Sequence, residues 1–194
     1  MKAVIFDIEI EKCIPSRQRR LAGLKYCEGW RDFEGMGISC LCAYDYYEDR
    51  YRVFTDSNHN EFEALWQKRD LFVGFNSIPF DSELLEACWE LKIPHTEQYD
   101  ILREMWKGAN MSTTFSPRTH GGFSLDATAE KNLDEKKSGS GANAPIHWQK
   151  GKVGNVVDYC LKDVWLTKRL FDRVLKTGAL LSPKTDQPLS MRKP

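Results

Sequence analysis

The chain has 194 residues and a mass of 22.5 kDa, enough for one domain with a real hydrophobic core and too little for two. Apolar residues make up 41% and charged residues 29%, a globular balance that excludes disordered and fibrous classes. Lys plus Arg total 28 and Asp plus Glu total 28, so any anion-binding surface must be a local patch.

In chain order, residues 2–8 read as a buried strand, a continuous apolar run that ends in acid. A long irregular excursion follows from Glu11 to about Gly35. Gly37 to Tyr44 and Tyr51 to Phe54 read as two strands joined by the polar turn Tyr47-Glu48-Asp49-Arg50. A helix is predicted after Ser57-Asn58 through Trp66, then a short apolar strand from Leu71 to Phe75. Asp81 to Leu91 reads as a helix stopped before Pro94, and shorter helical pieces fit Ile101–Lys107 and Ser124–Leu133. Lys136 to Asn143 is a Gly/Ser-rich surface loop. A long helix covers Gly154 to Lys176, with Gly178 as its stop. This pattern predicts an α/β protein with a mixed sheet flanked by helices. It forms a single domain over residues 1–180 with a C-terminal tail over 181–194.

Three groups of residues carry chemistry. In Asp7-Ile8-Glu9, strand alternation sends both carboxylates to one side and Phe6 and Ile8 to the other. Two adjacent carboxylates repel, and a divalent cation is one way to keep both ionised. In Gly74-Phe75-Asn76-Ser77-Ile78-Pro79-Phe80-Asp81, a strand gives way to a helix. Asp81 is placed to cap that helix, and an Asn, an aromatic and an acid at a strand end also suit a phosphate-bearing ligand. On the long helix, Asp163 lies roughly 40° from Tyr159, one turn along the same face. The apolar residues Val153, Val156, Val157, Cys160, Val164 and Phe171 fall at about 60° to 160° on that wheel. Tyr159 and Asp163 therefore border the buried stripe, and an acid in that position is hard to explain by packing.

Together, Asp7-x-Glu9, Asn76-x-x-x-Phe80-Asp81 and Tyr159-x-x-x-Asp163 resemble the three motifs of the DEDD superfamily of 3′–5′ exonucleases. The resemblance is to the branch with Tyr in the third motif, on a ribonuclease H-like fold. Cys27 to Ile38, Tyr99-Asp100-Ile101-Leu102 and Ala144 to Gly151 look like its phage and bacterial stand-alone members. Ile10 departs from the Thr or Ser usual in the family. Asp158 stands where the sister branch has His, so His59, His95, His120 and His147 match no catalytic role.

The resemblance implies a metal-dependent phosphodiester hydrolase with Asp7, Glu9, Asp81, Tyr159 and Asp163 as catalytic residues. Two divalent cations, Mg2+ or Mn2+, would be roughly 3.5–4 Å apart and clamp an in-line displacement. Asp7, Glu9 and Asp163 would hold one, and Asp7 and Asp81 the other. Tyr159 would orient the attacking water, since a phenol with a pKa of about 10 is a poor base at neutral pH. Asn76 and Phe80 would contact substrate. The implied substrate is the 3′ end of single-stranded nucleic acid, DNA favoured over RNA, with 5′-mononucleotides as products. A polymerase or helicase partner would be a separate protein.

The window Lys12 to Arg31 carries six basic residues against Glu28 alone, 6 − 1 = +5. Arg17, Arg19, Arg20 and Lys25, with Tyr26 and Trp30 interleaved, form the pattern that binds single strands. A second patch, Lys131, Lys136, Lys137, Lys150 and Lys152, flanks the Gly/Ser loop and could close over substrate. Two other classes compete: a non-catalytic nucleic-acid-binding or polymerase-partner module on the same fold, and a haloacid-dehalogenase-type phosphatase. Retention of all four carboxylates argues against the first. The absence of a late Gly-Asp-x-x-x-Asp argues against the second. No apolar stretch approaches the ~18 residues of a membrane span, and Asp7 comes too early for a secretory signal. Cysteines 13, 27, 40, 42, 88 and 160 contain no CxxC pair. They read as reduced core residues of a cytoplasmic protein and not as a disulfide frame or zinc site, and the resemblance implies a bacterial or phage-infected cell.

Overall fold

A computed structural model of the chain describes residues 1–16, 20–135 and 141–194. The apolar run at the N-terminus forms strand β1 (Ala3–Ile10), in which every residue but Asp7 is buried. A run apolar on both faces suits only the middle of a sheet. β2 (Ile38–Asp45) pairs antiparallel with β1, setting Asp7 opposite Cys42 and Glu9 opposite Cys40. β3 (Arg50–Phe54) continues the antiparallel edge. On the other side β4 (Leu71–Gly74) runs parallel to β1, and β5 (Gln98–Asp100) runs parallel to β4. The strand order β3-β2-β1-β4-β5 makes β1 central.

Helices cover both faces. α1 (Phe33–Met36), α2 (His59–Trp66) and α3 (Asp81–Trp89) lie on one side, where Phe62, Leu65, Leu84 and Leu85 pack on Val4, Phe6, Leu41 and Phe72. The other side carries α4 (Ile101–Gly108), α5 (Pro117–His120), α6 (Leu125–Leu133), α7 (Ala144–Gln149) and α8 (Val153–Thr177). There Val156, Cys160, Val164 and Phe171 of α8 pack on Ile5, Cys42, Tyr44 and Tyr99. α8 ends where expected, at Gly178, whose φ of 71° is left-handed and accommodates the turn without a Cβ clash. No helix among the described residues is long and apolar enough to cross a membrane.

Residues 181–194, expected as a tail, are packed. β6 (Ala179–Leu181) and β7 (Pro188–Ser190) form an antiparallel hairpin that puts Leu180, Leu189 and Met191 into the α8-side core. Tyr99 Oη donates to the Arg192 carbonyl at 2.6 Å. Strands this short carry no alternation in the sequence, and their apolar residues are held by packing against α8, α6 and α4. β5 escaped the sequence reading for the same reason.

The chain between α2 and β4 is tied to the far end of β2 by a buried ion pair. Arg69 Nη2 donates to Asp45 Oδ2 at 2.6 Å and Arg69 Nε to Asp45 Oδ1 at 2.9 Å, a bidentate geometry. Burial pushes the Asp45 carboxyl up, but the Arg69 and backbone hydrogen bonds override it and hold it below the usual range.

Candidate active site

The site forms where α8 crosses the face of β1. Phe6 and Ile8 enter the α2/α3-side core, so alternation turns Asp7 and Glu9 toward α8. Asp163 meets them there. Oxygen atoms of Asp7, Glu9 and Asp163 all lie within 4.8 Å of one another. Asp163 is only 3% exposed, inside the buried stripe of α8 and not at its border, because its row of the helix faces the carboxylates of β1. The set is all oxygen, and such a cluster fits a hard divalent cation.

The segment between β4 and α3 brings in the second group. A Cβ at Gly74 would come within 2.4 Å of the Ser77 side chain, so only glycine lets the loop fold back at the strand end. Asn76 follows with a left-handed φ of 65°, which Asn tolerates better than most residues. Asp100, buried at the end of β5, accepts from the backbone N–H of Asn76 at 2.9 Å and of Ile78 at 3.2 Å. It also caps α4 through Leu102 N and Arg103 N. Asp100 thus sets the path of this loop. The sequence offered it only within the Tyr99-Asp100-Ile101-Leu102 resemblance, as an acid before a predicted helix, and assigned it no role.

Asp81 is not the cap of its helix: Phe80 occupies the N-cap position and Asp81 is the first helical residue. Its carboxylate instead reaches β1, where Oδ1 accepts from Ile8 N at 3.0 Å. That bond fixes Asp81 beside the Asp7, Glu9 and Asp163 set. Burial pushes its carboxyl well above the ordinary range, and the charge of Asp7 adds to this, while the Ile8 donor opposes it. The native protein therefore keeps a proton that the unfolded chain releases near pH ~4. In chelator, thermal stability is expected to fall as pH rises from there through the raised pKa of Asp81. Asp81→Asn preserves the acceptor for Ile8 N and removes the charge, so it should flatten that fall and raise the melting temperature at neutral pH. Melting curves across pH check this, and an unchanged profile would show that the Asp81 charge is not the cause.

A cavity of about 590 Å³ opens over these groups, lined by Asp7, Glu9, Asp81, Tyr159 and Asp163 together with Ile10, Ile14, Tyr26 and Trp30. A second cavity of about 840 Å³ extends past Trp106, Phe115, His120 and Phe123. Asp7, Trp30, Phe75, Asn76 and Phe80 line both, so the two compartments meet at Asp7. Trp30 is 70% and Phe115 62% exposed, leaving flat aromatic surface at the mouth. Gly141 lies beside Tyr159, since a Cβ there would sit 3.6 Å from the tyrosine Oη.

The predicted site residues divide accordingly. Asp7, Glu9, Asn76, Phe80, Asp81, Tyr159, Asp163 and Trp30 converge on the cavity. Arg20 and Lys25 are exposed and do not line it, and the Arg20 guanidinium lies 5.3 Å from the Tyr26 ring centroid. Arg17 and Arg19 lie outside the described residues, as do Lys136 and Lys137 of the second patch. Lys131 of that patch pairs with Asp186 at 2.5 Å. Gln149 of α7, quoted in the sequence only as part of the Ala144 to Gly151 resemblance and given no role there, staples the basic loop to the chain just after β1. Its amide donates to the Glu11 and Lys25 carbonyls and accepts from Lys25 N.

No family model and no curated protein matches the sequence. Among solved structures, the chain is similar to the family B DNA polymerase from the hyperthermophilic archaeon Pyrobaculum calidifontis, with a TM-score of 0.61 and 17% identity. The match covers 89% of this chain and 24% of that one, so the chain spans about a quarter of the polymerase's length. With its central mixed sheet and helices on both faces, the chain has an α/β fold of the ribonuclease H-like type.

Proposed function

We propose that the chain is a 3′–5′ exonuclease that hydrolyses single-stranded nucleic acid, DNA in preference to RNA, and belongs to the tyrosine branch of the DEDD superfamily. The observation that carries this reading is the convergence of Asp7, Glu9 and Asp163 oxygens within 4.8 Å, with Asp81 and Tyr159 on the same cavity. The fold shared with a DNA polymerase supports it. Asp7, Glu9 and Asp163 would hold one Mg2+ or Mn2+, and Asp7 with Asp81 a second. Such cations, when bound, lower the pKa of water and neutralise charge on a phosphoryl group.

The chain's own residues then account for the rest. The carboxylates place the scissile phosphate at the junction of the two compartments. Tyr159 Oη, beside Gly141, hydrogen-bonds the attacking water and aims it. The water oxygen bonds to phosphorus as the bond from phosphorus to the 3′ oxygen breaks. The terminal nucleotide leaves with a 5′ phosphate, and the shortened strand keeps a 3′ hydroxyl. Trp30 and Phe115 offer faces on which unpaired bases stack, which duplex ends cannot use without fraying.

The test is digestion of 5′-labelled single strands with Mg2+ or Mn2+. The expected result is shortening by one nucleotide at a time from the 3′ end, release of 5′-mononucleotides, protection by a blocked 3′ end, and slower loss of a matched RNA. Cutting of circular single strands, or turnover unaffected by chelator, would sink the reading.

A further inference from the structure

The face of β2 turned toward α8 carries Cys40 and Cys42, the cross-strand partners of Glu9 and Asp7. Cys160 of α8 meets them. The three sulfurs lie within 4.8 Å of one another, and all three residues are fully buried. One buried thiol is an ordinary small apolar filler. Three converging from two separate elements form a donor set that selects thiophilic cations, because thiolate is a soft ligand. With Zn–S distances of about 2.3 Å, three thiolates around a trigonal ion stand about 4.0 Å apart. Contraction by less than about an ångström therefore closes the set around an ion. Cys160 Sγ also lies 3.3 Å from the main-chain oxygen of Asp7, so an oxygen other than the site carboxylates is at hand for a fourth position.

We propose that Cys40, Cys42 and Cys160 form a binding site for a thiophilic cation, Zn2+ or Cd2+, lodged between β2 and α8 directly behind Asp7. Binding replaces three S–H bonds by three metal–sulfur bonds and releases the protons to solvent. The site needs no nucleic acid and no hard cation, so it stands apart from the exonuclease reading. The absence of any CxxC pair hid it: two donors lie two residues apart on a strand, and the third lies far along the chain.

Titration of the reduced full-length protein with Cd2+ tests this, in a phosphine reductant and with excess Mg2+ to occupy carboxylates. The expected result is an ultraviolet thiolate-to-cadmium absorption that saturates at one ion per chain and is reversed by Zn2+. Carboxylates give no such band. Cys42→Ser should weaken binding beyond the roughly 10–100-fold that follows loss of a mere supporting partner behind a metal ligand. Cys13→Ser/Cys27→Ser, which removes a second pair of thiols that lie near each other, should leave the band unchanged, with circular dichroism confirming the fold of each variant. No band in the unaltered protein overturns the proposal whatever the variants do. So does a band that survives Cys40→Ala/Cys42→Ala/Cys160→Ala, or one that vanishes with Cys13→Ser/Cys27→Ser.

Discussion

Asp7→Ala is expected to abolish turnover and weaken divalent-cation binding, whereas Tyr159→Phe should lower the rate by roughly 10²–10⁴ and leave cation binding nearly unchanged. Asp7 lines both compartments, belongs to the close oxygen set and bears electrostatically on Asp81. Its loss removes a donor from each proposed cation position at once. Tyr159→Phe keeps the half-buried ring and deletes one hydroxyl beside Gly141, so folding should be preserved. Asp163→Ala should fall between the two, since only one cation position depends on it. Single-turnover rates on a labelled strand, with calorimetric cation titrations, read the order. If Tyr159→Phe is fully active while Asp163→Ala is dead, the tyrosine only packs, and the third motif reduces to one ligand.

Arg69→Ala is expected to cost about 3–5 kcal/mol of folding stability, the scale for removing one partner of a buried ion pair. Asp45 is fully buried and the Arg69 side chain only 5% exposed, so truncation strands a carboxylate that water cannot reach. The Tyr47 ring, 4.9 Å from the Arg69 guanidinium, loses its cation as well. Because Asp45 pairs with Val4 at the opposite end of the ladder from Glu9 and Cys40, the activity of the molecules that remain folded should be retained. Urea melts measure the loss. A change under about 1 kcal/mol would place the pair with ordinary surface ion pairs. Since Asp45 has a lowered folded pKa, its contribution is present above the unfolded value and fades as pH falls through the folded one.

Much of the sheet was legible because β1, β2 and α8 are long enough for their periodicity to speak. Strand alternation set Asp7 beside Glu9 and one helical turn set Tyr159 beside Asp163, while only the resemblance to the exonuclease motifs brought the two pairs together. Of the two roles the sequence offered Asp81, cap and site residue, the cap falls away because Phe80 takes the N-cap position and the carboxylate turns to Ile8 N instead. Asp100 and Gln149 lay in segments that carried the resemblance, but their roles were invisible because each acts on backbone groups of a loop, and such bonds have no residue pattern. The β6–β7 hairpin was missed because its three-residue strands are fixed by α8 and α4, not by their own sequence.

Cys160 reaches Asp7 across 153 positions, and Asp81 meets Ile8 across 73. Contacts so distant in the chain form only after large loops have closed, late in folding. During synthesis β1 emerges well before α8, so its two acids wait while most of the polypeptide is made. A nascent chain accordingly holds no complete acidic centre, and neither does one whose last long helix has come undone. Whatever the centre does is confined to molecules whose folding is finished, a safeguard that follows from the order of the elements alone.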